Sequence, residues 1–175
     1  MLGDLNPDQI ETLLMSEAIG RIGCSANGFT YVVPITYVYD DGYIYAHSKE
    51  GMKIQMMRLN PMVCFEIDKM ENAANWQSVV AWGRYEELKG SDQKMGLQKL
   101  ITKFSSLTSS ETSMPSPEVE DAHQNSAGPF KAVIYRIKLL EKTGKFEKHD
   151  YLVNNQSLNI ASPKIKNELK LNHTK

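Results

Sequence analysis

The residues best suited to chemistry lie in one short polar segment, HSKEGMK, at positions 47–53. It separates a predicted strand, Tyr43–His47, from a helix predicted to run from Gly51 to about Leu59. A helix start offers unpaired backbone N–H groups and the positive end of the helix dipole. Glycine lets a ligand approach the backbone closely, and lysine adds a positive charge. Ser48, Gly51 and Lys53 therefore predict a cradle for one phosphate group.

The same segment also has a plainer interpretation. It would fit an ordinary loop between a strand and a helix, with Ser48 as the helix cap and Lys53 in solvent. His47 ends a strand rich in aromatic residues. A lone histidine there is more often a hydrogen-bonded structural group than a ligand or a base. Spacing alone leaves both interpretations open.

Two further segments could contact a planar polar ligand. Proline lacks the N–H that a sheet requires, so Pro34 in VVPIT (32–36) marks an edge or an opened strand with backbone groups free for a ligand. Protection of an edge against aggregation is the alternative. Trp76, Gln77 and Ser78 could pack against such a ligand and hydrogen-bond to it. Trp76 could equally anchor a loop in the core.

Composition and motifs narrow the functional class. The chain has 175 residues, 41% apolar and 23% charged, with a net charge of −1, which fits one globular domain and argues against broad electrostatic binding to nucleic acid. The N-terminus lacks a secretory pattern and no apolar run approaches bilayer length, so we expect a cytoplasmic protein with no membrane partner. Cys24 and Cys64 lack a CxxC spacing and are predicted to be reduced core cysteines.

No familiar catalytic motif identifies an acid, a base or a nucleophile. GxSxG, HExxH, Walker A and GxGxxG patterns are missing, and the four histidines lack metal-ligand spacing, so no metal site is predicted. The catalytic residues stay unknown. If the protein is an enzyme, an organic cofactor is expected to carry the chemistry.

The elements that must position these residues are mostly strands joined by tight turns. Asn27-Gly28 and Asp41-Gly42 are strong hairpin signals, and Asn6-Pro7 is a typical helix start. Gly83 predicts a bulge or a bend within a strand over 77–87. Hairpin links imply antiparallel pairing, so about six strands and two or three helices predict a small antiparallel barrel with helices at its ends.

Taken in order, these segments resemble a known family. The stretches AIGRIGCSANGFTYVVPITYVYDDGYIYAHSKEGMKIQMMRLNPMVCFEID (18–68) and WQSVVAWGRYEEL (76–88) are similar to the flavin-binding split-barrel proteins related to pyridoxamine 5′-phosphate oxidase. The branch that contains the nitroimidazole-resistance (Nim-type) proteins is most similar. The resemblance implies a mainly β fold, a six-stranded antiparallel split barrel, over residues 1–153, followed by a polar tail over 154–175.

The resemblance also implies a homodimer that holds FMN in its interface clefts. Val33, Pro34, Ile35 and Thr36 would lie along the flavin ring, with His47 and Ser48 beside the phosphate. Gly51 and Met52 would bind the phosphate through backbone amides, and Lys53 through its charge. Trp76, Gln77 and Ser78 would approach the ring or the phosphate, from the same chain or from the partner subunit.

One departure from the family separates this chain from the oxidase itself. The C-terminal segment NNQSLNIASPKIKNELKLNHTK has no arginine, whereas the oxidase grips its substrate phosphate there with arginines. Met52 also replaces an arginine of the oxidase. The resemblance therefore predicts an FMN-dependent oxidoreductase with an unidentified small-molecule substrate. The alternatives are a non-catalytic flavin- or haem-binding module and a dimeric scaffold with an empty cleft.

Overall fold

The fold, taken from a computed structural model that describes residues 1–107 and 132–149, is mainly β. The strands are β1 (Leu2–Asp4), β2 (Ile19–Ala26), β3 (Phe29–Thr36), β4 (Val38–Asp40), β5 (Tyr43–Ser48), β6 (Met62–Asn72), β7 (Asn75–Glu87) and β8 (Val133–Lys148). The helices are α1 (Pro7–Ser16), α2 (Met52–Leu59) and α3 (Gly90–Leu107). The described residues thus hold eight strands where six were predicted. The predicted tail over 154–175 lies outside them.

One antiparallel sheet closes on itself to form a split barrel. Its strand order is β3-β2-β6-β7-β8-β5-β4, with β1 paired to β8. Strands β3 and β4 are consecutive in the chain, with only Tyr37 between them, yet they stand at opposite ends of this order. The sheet must therefore curve until its two edges meet beside Tyr37. This arrangement confirms the predicted antiparallel split-barrel class.

Tyr37 anchors the point where the chain passes from β3, at one edge of the sheet, to β4, at the other edge. Its side chain is fully buried and its hydroxyl donates a hydrogen bond to the Leu14 carbonyl at 2.9 Å. Its backbone N–H donates to the Ala18 carbonyl at 3.0 Å. The ring also packs edge-on against Phe65, with centroids 5.0 Å apart. Tyr37 therefore separates β3 from β4 and joins both strands to the core.

Local sequence signals explain the turns and the first helix. Asn27 and Gly28 have φ values of 51° and 80°, which places both in the left-handed region that a tight hairpin requires. Asp41 and Gly42 repeat this geometry at 46° and 78°. The Asn6 side chain accepts a hydrogen bond from the Gln9 N–H while the Gln9 side chain accepts from the Asn6 N–H, so a capping box begins α1.

The predicted bulge at Gly83 is confirmed. The register between β7 and β8 shifts between Trp82 and Gly83. A Cβ atom at Gly83 would lie 2.6 Å from Ile137 Cγ2 and 2.7 Å from the Lys138 carbonyl oxygen. Glycine at this position therefore permits an approach of the two strands that a larger residue would prevent.

Side chains alternate between the barrel interior and the outer face of the sheet. On β2, Ile22 and Cys24 are buried, whereas Arg21 is exposed on the other face. Helix α2 packs on β2, and α3 packs on β4, β5 and β8. No helix in the described residues is long and apolar enough to cross a bilayer.

Candidate functional site

Strand β3 places the first predicted group at an edge of the sheet. Its neighbour on one side is β2, with Pro34 opposite Arg21 and Thr36 opposite Ile19. Ile35 is buried and Val33 packs against the core, whereas Pro34 and Thr36 are exposed. Pro34 therefore stands at an edge, as its missing N–H requires, and the second edge of β3 has backbone groups not used by the sheet.

The segment from His47 to Lys53 passes from the end of β5 into α2, as predicted. His47 and Ser48 are half-buried and pair with Ile134 and Val133 of β8. Strand β3 contacts β5, and α2 packs on β2 beside β3. The structure thus brings the groups 33–36 and 47–53 to the same region of the barrel.

The start of α2 has no cap from the residues that the plainer interpretation required. Ser48 Oγ donates to the Lys49 carbonyl at 2.9 Å, so this hydroxyl serves its own loop. Gly51 occupies the N-cap position without a side-chain hydrogen bond, and the first turn of α2 has no acidic residue. A Cβ at Gly51 would meet nothing within 4 Å. Within the described residues, no side chain therefore caps the start of α2, and the space beside Gly51 is open.

Lys53 is half-buried, not the solvated lysine of the plainer interpretation. Within the described residues it forms neither an ion pair nor a hydrogen bond. Burial lowers the pKa of its ammonium group, and the nearby Cys24 thiol acts weakly in the opposite direction. A partly desolvated cation without a carboxylate partner is suited to bind an anion.

Trp76, Gln77 and Ser78 lie on β7, which β2 and β6 separate from β3 in the sheet. They form the start of β7, where Trp76 pairs with Met70 and its Nε1 donates to Glu147 Oε2 at 3.1 Å. Glu87, at the other end of this 13-residue strand, contacts Arg58 of α2. A strand of that length spans roughly 40 Å.

An ion-pair network beside the start of α2 was not predicted. The Arg58 guanidinium binds Glu87 through Nε at 2.8 Å and through Nη2 at 3.1 Å, and binds Glu50 through Nη1 at 2.7 Å. Hydrogen bonding from Arg58 lowers the pKa of Glu87. No local spacing rule relates Glu50 to Arg58, or either to Glu87, so only the folded structure reveals the network.

A groove of about 500 Å³ crosses the outer face of β2, β3, β6 and β7. Its lining includes Arg21, Val32, Met62, Cys64, Glu66 and Trp82. Arg21 pairs with Glu66 at 3.2 Å and also with Asp68. Cys24 is buried as predicted, but the core assignment of Cys64 was wrong. Strand alternation turns Val63 and Phe65 inward and Cys64 outward, which neighbouring apolar residues alone do not specify.

Comparisons with known proteins agree with this fold. Residues 6–145 match the family described as pyridoxamine 5′-phosphate oxidase. An uncharacterized protein of Rhizobium meliloti (strain 1021) is 33% identical over 84 residues, which cover 48% of this chain and 56% of that protein. The chain thus spans little more than half the length of the curated relative it matches.

Two solved structures share the barrel. One is described as a FAD-binding protein from Mesorhizobium loti, with 28% identity, a TM-score of 0.67, and coverage of 85% of this chain and 99% of that one. The other, a candidate 5-nitroimidazole antibiotic resistance protein from Bacteroides thetaiotaomicron, has 20% identity, a TM-score of 0.61, and coverage of 83% and 87%. With the family match extending over residues 6–145 of the split barrel, the chain belongs to the pyridoxamine 5′-phosphate oxidase family.

Proposed function

We propose that this protein binds FMN and acts as a flavin-dependent oxidoreductase on a small organic molecule. Family membership and the relative named as FAD-binding support a flavin. The observation that carries the proposal is the start of α2, where the open space at Gly51 adjoins the half-buried Lys53, which has no ion-pair partner among residues 1–107 and 132–149. This arrangement fits an anionic group better than a neutral one.

The residues present fit the phosphate of a flavin mononucleotide. The backbone amides of Gly51 and Met52 would donate to phosphate oxygens, with Lys53 supplying charge. His47 and Ser48 would lie beside the phosphate. The edge strand Val33–Thr36 would offer backbone groups to the polar edge of the ring. These assignments follow the family resemblance and the neighbouring positions of β3, β5 and α2.

The protein's own part in the reaction is to bind and orient. A bound flavin supplies the capacity to accept and pass on electrons or a hydride. The side chains of this chain would hold the ring at the edge of β3, and the phosphate at α2. No residue is assigned as a catalytic acid or base. His47 is the histidine nearest the predicted phosphate site along the chain.

We further propose that two copies of the chain complete each site. Trp76, Gln77 and Ser78 lie at the far end of β7 from Glu87, the residue of this strand that contacts Arg58 of α2. A two-fold dimer could place the start of β7 of one subunit against α2 of its partner. This proposal agrees with the homodimer that the resemblance predicts.

Lys53→Ala is the first test of the proposal. The substitution removes one charge-assisted contact worth roughly 1.5–3 kcal/mol, so FMN affinity should fall by about 10- to 150-fold. Riboflavin lacks the phosphate and should bind both proteins equally. Fluorescence titration of the purified proteins with FMN, riboflavin and FAD measures all three affinities. Stronger binding of FMN than of FAD supports a cradle for a single terminal phosphate.

Lys94→Ala provides the control, because it removes the same charge from an exposed position on α3. It should leave the affinity for FMN unchanged. An equal loss of FMN and riboflavin binding in Lys53→Ala would contradict the phosphate role of Lys53. Failure of the unmodified protein to bind any flavin would contradict the proposed function itself.

A further inference from the structure

We infer that Arg58 is a positioning residue of the phosphate site, which it serves by holding the Glu50 carboxylate in an ion pair. This inference rests on the proposed function, because it concerns the anion that the start of α2 would bind. Glu50 directly precedes the N-cap residue Gly51. A negative side chain at that place affects any phosphate bound there.

The three side chains form one connected network. Arg58 lies in the last turn of α2 and grips both oxygens of Glu87, at 2.8 and 3.1 Å, in the paired geometry that arginine favours. Its remaining terminal nitrogen, Nη1, holds Glu50 Oε1 at 2.7 Å. Tyr85 donates to the same Glu87 at 3.3 Å. The end of β7 thereby fixes the guanidinium, and the guanidinium fixes Glu50.

Without Arg58, the Glu50 carboxylate would be a competitor for the phosphate. Anions are stabilised at helix N-termini, and Glu50 is one residue from that position while Gly51 offers no side-chain cap. A released carboxylate could turn toward the first N–H groups of α2 or repel the phosphate. The ion pair with Arg58 occupies this carboxylate, so Glu50 does not serve as a cap for those groups.

A merely structural role of Arg58 makes a different prediction. If the network only holds α2 against β7, its loss lowers the stability of the protein and reduces the affinity for every ligand of the site equally. If Arg58 instead holds the Glu50 carboxylate in place, its loss reduces the affinity for a ligand with a phosphate and leaves the affinity for a ligand without one unchanged. Removing the Glu50 charge should then repair the defect, although it cannot restore the contact between α2 and β7.

The test compares Arg58→Gln, Glu50→Gln and the double variant Arg58→Gln/Glu50→Gln, titrated with FMN and with riboflavin. All three side chains are partly solvent-exposed, with side-chain exposures of 41% for Arg58, 50% for Glu50 and 29% for Glu87, so a moderate effect is expected. Arg58→Gln should lower FMN affinity by about 3- to 10-fold, which corresponds to one partly screened charge interaction. Riboflavin affinity should change less than about twofold, and the double variant should bind FMN as Glu50→Gln does.

Lys99→Gln is the matched control, since it breaks a partly exposed ion pair between Lys99 of α3 and Asp40 of β4. It should leave both affinities unchanged. If the unmodified protein did not bind FMN, that result would contradict both the proposed function and this inference. Two results would overturn this inference alone, provided that the unmodified protein binds FMN. One is an equal loss of affinity for FMN and riboflavin in Arg58→Gln. The other is that adding Glu50→Gln does not restore the FMN affinity of Arg58→Gln.

Discussion

Lys53 links burial to ligand binding at the scale of a single residue. Burial lowers its pKa from the ordinary value of 10.5, and only the charged form attracts phosphate. The affinity for FMN relative to riboflavin should therefore fall as pH rises, and the fall should begin below the pH at which an ordinary lysine titrates. Titrations with both ligands from about pH 7 to about pH 10.5 measure this ratio.

The stability of the ligand-free protein should change in the opposite sense. Because the folded-state pKa of Lys53 is depressed, the unfolded chain binds more protons between that pKa and 10.5. Lys53 therefore contributes a destabilising term at lower pH that disappears as pH rises through this window. Lys53→Ala should lose both trends. The same pH dependence in Lys53→Ala as in the unmodified protein would assign the effect to another group.

The residues of the site differ in how far sequence could predict them. A helix start is a local feature, so Gly51 and Lys53 indicated an anion cradle there, although their spacing alone also fitted a plain loop. Glu87 is 29 residues from Arg58, and their contact depends on where β7 ends relative to α2. The outward orientation of Cys64 depends on strand register. Neither property can be read from neighbouring residues.

The bulge between β7 and β8 is the feature most open to test at the scale of elements. In Gly83→Ala, the added Cβ would lie 2.7 Å from the Lys138 carbonyl oxygen, which is backbone and cannot rotate away. We expect a loss of about 1–3 kcal/mol in the free energy of unfolding. Chemical denaturation monitored by tryptophan fluorescence measures it.

Gly23→Ala is the control for this substitution. A Cβ at Gly23 of β2 would meet its nearest neighbours at 3.7 Å, which is ordinary contact. It should therefore leave the free energy of unfolding unchanged or slightly higher. Equal stability of the two variants would show that β7 and β8 can separate at the bulge without cost.

Elements with local signals were predicted, and those that depend on distant partners were not. The turns at Asn27-Gly28 and Asp41-Gly42 and the cap at Asn6 follow from residue types that favour those conformations. The three-residue strand β1 exists through its pairing with the distal part of β8, from Leu2 opposite Glu147 to Asp4 opposite Lys145. Likewise, β3 and β4 separate at Tyr37 because the barrel closes there.

At the scale of the whole molecule, the outer face of the sheet exposes apolar side chains beside the groove. Val32 is 62% exposed, Met62 43% and Trp82 42%. They surround the ion pairs of Arg21 with Glu66 and Asp68. An exposed apolar group with a charged neighbourhood is typical of a surface that meets another protein. A second copy of the chain fits both this surface and the separation of Trp76–Ser78 from α2.

Trp82→Glu should therefore both dissociate the proposed dimer and weaken FMN binding. The substitution places a charge on the outer face of the sheet that the two copies would share, and it changes none of the predicted cofactor residues. Sedimentation at micromolar concentration should give about twice the 19.8 kDa chain mass for the unmodified protein and the single-chain mass for the variant. FMN affinity should fall at least about tenfold, because each site loses the partner's Trp76, Gln77 and Ser78. Met95→Glu changes an equally exposed apolar residue on α3 and should leave both the mass and the affinity unchanged. A monomeric Trp82→Glu protein that binds FMN as tightly as the unmodified chain would place the whole site within one subunit and contradict the shared cleft.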